Sequence, residues 1–455
     1  MVGRAYGRVQ VAVQQVDLLG LAPTMRSFLK ANVASAALVF VDPHDPGRMS
    51  RPGCVIASPS FAGVTNQDYV NHWLRDSAIV AMELAAAPEL DANGVDRTLC
   101  DYVAFSELCQ ENAPAGHFFL ACYQIDGTAR DWSDQKDGPA LQSLAFVDAW
   151  PHLDAAARTT ARKVAQRNLE ETVAAWSDDG GARGPWEDVT GPSFFARAAQ
   201  VRFLREVDAA NALGLDVPPG LAAALDGLAE ALGTHWSEEK GCYVSIPNGT
   251  PDFDGYDPDA DVIMGQIYGS VACTDPRLLA TAAKLRQAFD VGGPAAYPIN
   301  VDDRARGFGP MLGRYPGDTY DGDTSDNVDV GHPWAICTAN YAQLCYHLAT
   351  AFRAGDGVDV DDLSGPFFVQ VGLDEATVAD HARADRVAAA LTDAGDRMLQ
   401  AVLFHSDHQH LSEQFDRVTG FEKSVQDLTW SYAAYLSAVR ARPSDGSTSS
   451  SPSAR

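Results

Sequence analysis

Lysine is scarce in this chain: six of the 34 basic residues are Lys, and 61 acidic side chains leave a formal net charge of −27 over 455 residues. That balance argues against nucleic acid and anionic membrane surfaces as partners, since both are polyanions. A neutral polymer meets no such repulsion. An acid-rich surface suits high salt or low pH, and a coding bias toward Arg, Ala, Gly and Asp gives the same composition. Long apolar runs are missing too. No window approaches the ~20 residues of a membrane span, and residues 1–15 lack the apolar block of a secretory leader. Period-two alternation is rare; residues 242–246 form its best run, the expected half of a hairpin. Neither a phosphate-cradling glycine loop nor a nucleophile-elbow serine is present, because Gly307-Phe308-Gly309 lacks both a preceding strand and a third glycine. Nucleotide enzymes and serine hydrolases are therefore disfavoured. The aspartate-rich stretches 252–261 and 321–329 miss the sixth-position glycine of a calcium loop. The one glycosylation-type triplet, Asn248-Gly249-Thr250, is weakened by the following Pro251. Eight cysteines, mostly inside apolar segments, read as buried thiols in a chain this long.

What is present is helical periodicity. Leu278, Ala282, Leu285 and Phe289 form one stripe, after a start at Pro276. Phe194, Ala198, Val201 and Leu204 form another, after Gly191-Pro192-Ser193. Leu428, Tyr432, Tyr435 and Val439 form a third, with Ser424 and Asp427 expected as its cap pair. The spacing predicts helices near 22–38, 76–88, 95–112, 138–150, 153–176, 192–212, 220–235, 262–271, 276–290, 331–353, 373–403 and 426–441. That is an all-α fold. A count near twelve suits a double-layered barrel of six helix pairs, and separate bundles give similar counts. No linker interrupts residues 1–442, which read as one domain; 443–455 is a Ser/Pro-rich tail too polar to pack. Loops over 41–75, 113–137, 176–191, 291–330 and 404–425 are long enough to carry function.

The candidate chemistry falls in or beside those loops. Trp186-Glu187-Asp188 sets a carboxyl beside an indole, and loss of water there favours the protonated form that a general acid for glycosidic cleavage needs. Ser412-Glu413-Gln414-Phe415 supplies a candidate second carboxylate. Read alone, Trp186 suits a core plug with both acids solvated, and Glu413 an ordinary loop residue. In Trp73-Leu74-Arg75-Asp76 the two charges, with Tyr69 and Trp73 nearby, suit a sugar-binding corner, where forked hydrogen bonds meet hydroxyls and rings stack on the apolar sugar face. Asp76 equally suits a helix cap. Gly313-Arg314-Tyr315-Pro316 reads either way as well, with Arg314 a binder or an exposed turn residue. His405, His408 and His410 beside Asp407 lack the spacing of a compact metal shell, so a polar loop is the better reading.

Taken in order, these blocks resemble glycoside hydrolase family 15, the glucoamylases, over about residues 25–441. Ile56-Ala57-Ser58-Pro59-Ser60 leads to Tyr69 and Trp73-Leu74-Arg75-Asp76. Asp137-Gly138-Pro139-Ala140-Leu141 follows, then Trp186-Glu187-Asp188-Val189 with Ser193-Phe194-Phe195. Gly313-Arg314-Tyr315-Pro316-Gly317-Asp318 and Pro333-Trp334 come next, and Ser412-Glu413-Gln414-Phe415 and Asp427-Leu428-Thr429-Trp430 close the series. The resemblance implies an (α/α)6 barrel with its site at the loop-built mouth, no cofactor and no metal, and an α-glucan such as starch as substrate. It implies Glu187 as general acid, Glu413 as general base and Tyr69 as holder of the attacked water. Arg75, Asp76 and Arg314 would bind the terminal glucose and Asp188 the next sugar, with Trp73, Trp132, Trp186 and Trp334 as further substrate contacts. Trp132 sits one residue closer to the Asp137 block than is usual. Asp188 stands for the usual glutamate and Phe415 for the usual tyrosine. A relative acting on dextran, trehalose or another α-glucoside is the alternative within this class; a non-catalytic glucan-binding protein on the same barrel is the alternative outside it. A monomer is expected; the resemblance implies secretion, while the missing leader block fits either a cytoplasmic protein or an already processed chain.

Overall fold

The computed structural model describes residues 17–61, 68–178, 180–247, 255–323, 330–358 and 360–444. The chain start, the Asn248-Gly249-Thr250 triplet and the tail from 445 lie outside the described residues. So do 252–254 and 324–329 of the aspartate-rich stretches. In chain order the helices are α1 (Ala22–Ala31), α2 (Leu74–Ala86), α3 (Arg97–Glu111), α4 (Gly138–Ala149), α5 (Ala155–Ala174), α6 (Phe194–Ala209), α7 (Leu221–Gly233) and α8 (Asp261–Ile267). They continue with α9 (Pro276–Phe289), α10 (Ile299–Arg306), α11 (Ala335–Ala354), α12 (Gly365–Gln370), α13 (Glu375–Ala379), α14 (Ala384–His405) and α15 (Thr429–Ala441). Three two-residue antiparallel ladders complete the described structure: β1 (His72–Trp73) with β2 (Cys122–Tyr123), β3 (Trp236–Ser237) with β4 (Cys242–Tyr243), and β5 (Gln414–Phe415) with β6 (Glu422–Lys423). The expected half-hairpin at 242 has its partner in β3.

Six helices close a ring. α2 packs on α4, α4 on α6, α6 on α8, α8 on α11, α11 on α15, and α15 returns to α2. Outside it, α1 packs on α15, α3 on α2 and α5, α5 on α4, α7 on α6, α9 on α8 and α14 on α11. This is the (α/α)6 barrel. Residue patterns separate the layers. Every residue of α2 from Leu74 to Ala85 is buried, as is α15 from Thr429 to Val439; a helix buried all round belongs between other helices. The outer α5 buries one stripe, Ala157, Ala161, Val164, Ala165, Asn168, Leu169 and Thr172, and gives its other face to solvent. At the start of α4, Gly138 lets that helix approach α2: a Cβ there would meet the Leu74 Cβ at 2.9 Å. Side chains of Asp96, Asp154, Ser193 and Asp275 cap α3, α5, α6 and α9 by accepting first-turn N–H groups.

Four expectations need correction. The helix expected over 22–38 ends at Ala31, because Asn32 turns to bond the Asp427 carbonyl and the Thr429 hydroxyl, both at 2.8 Å, and Val33 bridges to Val55. The segment expected over 373–403 breaks at a 3₁₀ turn, His381–Arg383, between α13 and α14. Short α10 falls inside the loop expected over 291–330, and α12 falls where no helix is expected. Ser424 and Asp427 do not cap α15: both have positive φ, 66° and 50°. The Asp427 carboxylate instead takes His410 at 2.6 Å and the Tyr432 hydroxyl at 2.5 Å.

Candidate active site

The loop before each inner helix contributes to one place at the barrel mouth. A cavity of about 820 Å³ is lined by Tyr69 and Trp73 ahead of α2, Arg130 and Trp132 ahead of α4, Arg183 and residues 186–188 ahead of α6, and Arg314 through Trp334 ahead of α11. A smaller chamber of about 60 Å³ shares Tyr69, Trp73, Trp186, Glu187 and Trp334 with it and adds Arg75, Asp76, Glu413 and Trp430. The loop ahead of α8 supports the wall from behind, where Asp259 accepts the Trp186 indole N–H at 2.8 Å. All the site residues singled out from the sequence line the cavity or the chamber. The three histidines do not gather: His405 bonds Asp303, His410 bonds Asp427, and His408 bonds its neighbour Asp407.

Glu187 stands at the tip of a turn closed by Glu187 N–H to the Gly184 carbonyl, 3.1 Å, and Gly184 N–H to the Val189 carbonyl, 3.2 Å. Its φ is 67°, in the left-handed region that costs a non-glycine residue on the order of 1–3 kcal/mol. The Arg183 guanidinium steadies the turn by donating to the Glu187 carbonyl at 2.6 Å. The carboxylate meets an indole, as the sequence suggested, but that of Trp73 rather than of adjacent Trp186. Trp73 Nε1–H donates to Oε1 at 2.9 Å, and the Gln135 amide donates to the same oxygen at 2.7 Å. The Trp186 ring instead packs between Trp334 and Trp430, at centroid distances of 5.7 and 6.2 Å, and lines the cavity. Truncating it to Ala is expected to cost roughly 3–5 kcal/mol.

Glu413, 2 % exposed, precedes β5 and is gripped by hydroxyls. Tyr69 donates to Oε1 at 2.8 Å; Ser424 and Tyr320 donate to Oε2 at 2.5 and 3.3 Å. Burial raises its pKa above the usual carboxylate range, against the hydrogen bonds from Ser424 and Tyr69 and the Arg314 charge. The Tyr69 phenol, also raised well above its ordinary value by burial, stays protonated and donates. Gly322 makes the Ser424 contact feasible, since a Cβ there would overlap the Ser424 hydroxyl.

Two buried arginines flank the acids. Arg75 bonds the Gln135 amide oxygen and sits 3.3 Å from Asp76, 3.6 Å from Asp137 and 4.8 Å over the Trp430 ring. Burial pushes Asp76 up to about 7, in spite of Arg75. Arg314 is not an exposed turn residue. It forks onto Asp318 at 2.9 and 2.6 Å, lies 3.5 Å from Asp188, and sits beside the rings of Trp334 and Tyr320. Asp188 also accepts the Tyr315 hydroxyl at 2.5 Å. Trp132, 37 % exposed, meets Trp73 edge-on at 5.8 Å under the Arg130 guanidinium. Sequence reasoning missed Gln135, Tyr320 and Ser424. Gln135 lies two residues before Asp137, yet an isolated amide carries no periodic or motif signal, and Ser424 looked like a helix cap. Carboxylates opening onto one chamber, walled by rings and forked charges, are what a glycosidase site needs.

Comparison with known proteins narrows this class. The sequence profile of Glycosyl hydrolases family 15 matches residues 46–440. A probable glucoamylase of Schizosaccharomyces pombe is 27 % identical over 409 residues, 86 % of this chain and 85 % of that protein. A glucoamylase of Saccharomycopsis fibuligera is 26 % identical over 464 residues, 86 % and 84 % of the two chains. Among solved structures, a Saccharomycopsis fibuligera glucoamylase superposes with a TM-score of 0.76 at 25 % identity, covering 95 % of this chain and 97 % of that one. The Hypocrea jecorina family 15 glucoamylase gives 0.75 at 22 % identity, with 93 % and 71 % coverage, and so shares the fold. This chain belongs to glycosyl hydrolases family 15. It is a glycoside hydrolase.

Proposed function

We propose that this enzyme removes single glucose units from the non-reducing ends of starch-type α-1,4-glucans, with inversion at the anomeric carbon. One observation carries the reading: Glu187 and Glu413, far apart in sequence, open onto one chamber of about 60 Å³, room for several water-sized volumes. Glu187 gives its proton to the departing glycosidic oxygen as the C1–O bond breaks. Water attacks C1 from the opposite face and loses a proton to Glu413. Tyr69 holds that water. Arg75, Asp76 and Arg314 fork onto the terminal sugar, Asp188 onto its neighbour, and the rings of Trp73, Trp132, Trp186 and Trp334 supply apolar walls. An α-glucan is the partner. Among the described residues no helix is long and apolar enough to cross a membrane, and secretion, which the family resemblance implies, belongs to this reading.

A single displacement needs the two carboxyl groups roughly 6.5–9.5 Å apart, against about 5–5.5 Å for a retaining pair. NMR of fresh product from maltotriose tests the reading: β-glucose is expected first, and initial α-glucose overturns it. Turnover on maltose and soluble starch is expected to exceed that on isomaltose and trehalose.

A further inference from the structure

We propose that Gln135 is a positioning residue that decides which oxygen of Glu187 carries the acid proton; this rests on the reading of Glu187 as the acid. Gln135 is 1 % exposed, and its amide faces two opposite neighbours. Arg75, a donor only, bonds the amide oxygen, so the NH₂ end is turned onto Glu187 Oε1. A flipped amide would set N–H against guanidinium N–H and carbonyl oxygen against carboxylate. Arg75 in turn is held beside Asp76 and Asp137 under the Trp430 ring. The orientation of the amide is therefore fixed by charge rather than by shape.

The second donor to Oε1 is the Trp73 indole, which cannot accept. An oxygen already receiving two N–H groups has no room for a proton aimed at them. Oε2, which takes no hydrogen bond among the described residues, is then the protonated oxygen. In the reaction its O–H bond breaks as the proton passes to the glycosidic oxygen, and the C1–O electron pair goes to that oxygen. The water oxygen bonds C1, and its proton ends on Glu413. The negative charge left on Glu187 meets two donors already in place, with nothing to reorganise.

Gln135→Met, similar in length and without donors, tests this on two substrates. Maltose leaves through an oxygen that needs a proton; α-D-glucosyl fluoride leaves as fluoride and needs far less help. Turnover on maltose is expected to fall roughly 10–10²-fold, less than the about 10²–10³ for loss of a donor to the reacting oxyanion because the Trp73 donor remains, while KM and turnover on the fluoride change by less than about 3-fold. Gln135→Leu, shorter and also without donors, is expected to give the same split and serves if Gln135→Met does not fold. An equal fall on both substrates, or no fall on maltose, overturns the proposal. Glu187→Gln separates the two claims. If it keeps maltose turnover, the acid assignment falls and the proposal with it. If it loses turnover while Gln135→Met does not, the positioning role alone is lost.

Discussion

Around Glu187 the donors are N–H groups, the Trp73 indole and the Gln135 amide, both on one oxygen. Around Glu413 they are three hydroxyls, from Tyr69, Tyr320 and Ser424, shared between both oxygens. An indole N–H only donates, whereas a hydroxyl rotates, donates and accepts. The first setting fixes a carboxyl in one orientation. The second can re-aim when a water arrives or when the carboxylate takes a proton. Depth differs likewise: Glu187 is half-buried where the cavity and chamber join, and Glu413 is nearly sealed. On the proposed roles, the group that would hand a proton to a leaving oxygen is held rigidly, and the group that would receive one from water is surrounded by adaptable partners.

The most severe way to break the contrast is to neutralise either acid. Glu187→Gln and Glu413→Gln are each expected to lower maltose turnover by on the order of 10²–10⁴. On α-glucosyl fluoride the two variants should part, with Glu187→Gln largely spared and Glu413→Gln still slow. Steady-state kinetics on both substrates checks this; equal losses on the fluoride would mean that the two carboxyls do not have separate tasks.

A smaller effect is expected at Ser424. Its hydroxyl favours the charged form of Glu413, and its φ of 66° is one that glycine adopts without strain. Ser424→Gly therefore removes one hydrogen bond and some strain together. Without the hydroxyl, burial acts on Glu413 less opposed and its pKa rises further. A base works only when deprotonated, so the acid limb of the kcat/KM profile moves to higher pH. Activity at pH 4 relative to pH 6 should fall several-fold. An unmoved limb would show that the hydroxyls do not tune this carboxylate.

Stability should respond to pH through the groups behind the Glu187 side of the contrast. Burial raises Asp76, beneath Arg75, to about 7 from an ordinary 3.8, and raises Asp261, which accepts the Ser245 hydroxyl, in the same direction. Between about pH 4 and 7 the folded chain keeps protons that the unfolded chain gives up. Stability is thus full below pH 4 as far as these groups are concerned, and it is lost as pH rises toward 7, by up to ~1.4 kcal/mol per pH unit for each group. For a chain this long Asp76 alone should lower Tm by on the order of 3 °C between pH 5 and pH 7.5, with Asp261 adding in the same direction, and thermal scans at the two values measure it. A higher Tm at pH 7.5 would contradict these two shifts.

How much of this was legible in the sequence follows from what each residue does. The inner helices announce themselves, since Phe194, Ala198, Val201 and Leu204 are all fully buried at the predicted spacing. The two acids are legible through their neighbours in short blocks. What was not legible is how those blocks meet. Trp186 touches Glu187 in sequence, yet the indole on its carboxyl comes from Trp73, because a positive φ at Glu187 swings the side chain off the local path. Ser424 and Asp427 have the composition of a cap, but positive φ at both takes them out of the capping geometry. Contacts such as Tyr320 to Glu413 join loops that are brought together only when the ring of helices closes, and no local pattern encodes them.

The mildest perturbation sharpens the contrast at its base. Cys122 is the ladder partner of Trp73 and is fully buried beneath it, with the Arg130 guanidinium 3.9 Å from its sulfur. Burial pushes the thiol pKa above its ordinary value, so it is neither a thiolate nor a nucleophile near neutral pH. All eight cysteines are free, so no cross-link depends on it. Cys122→Ala removes one buried atom on the Glu187 side and none on the Glu413 side. It should cost about 1 kcal/mol, similar to deleting a buried methyl, which for this length is a Tm drop of about 1 °C. If the indole is held mainly by its ring contacts with Tyr69 and Trp132, maltose turnover stays within about 2-fold. A larger fall confined to maltose and absent on α-glucosyl fluoride would show that the ladder, not the ring packing, aims the Trp73 donor at Glu187.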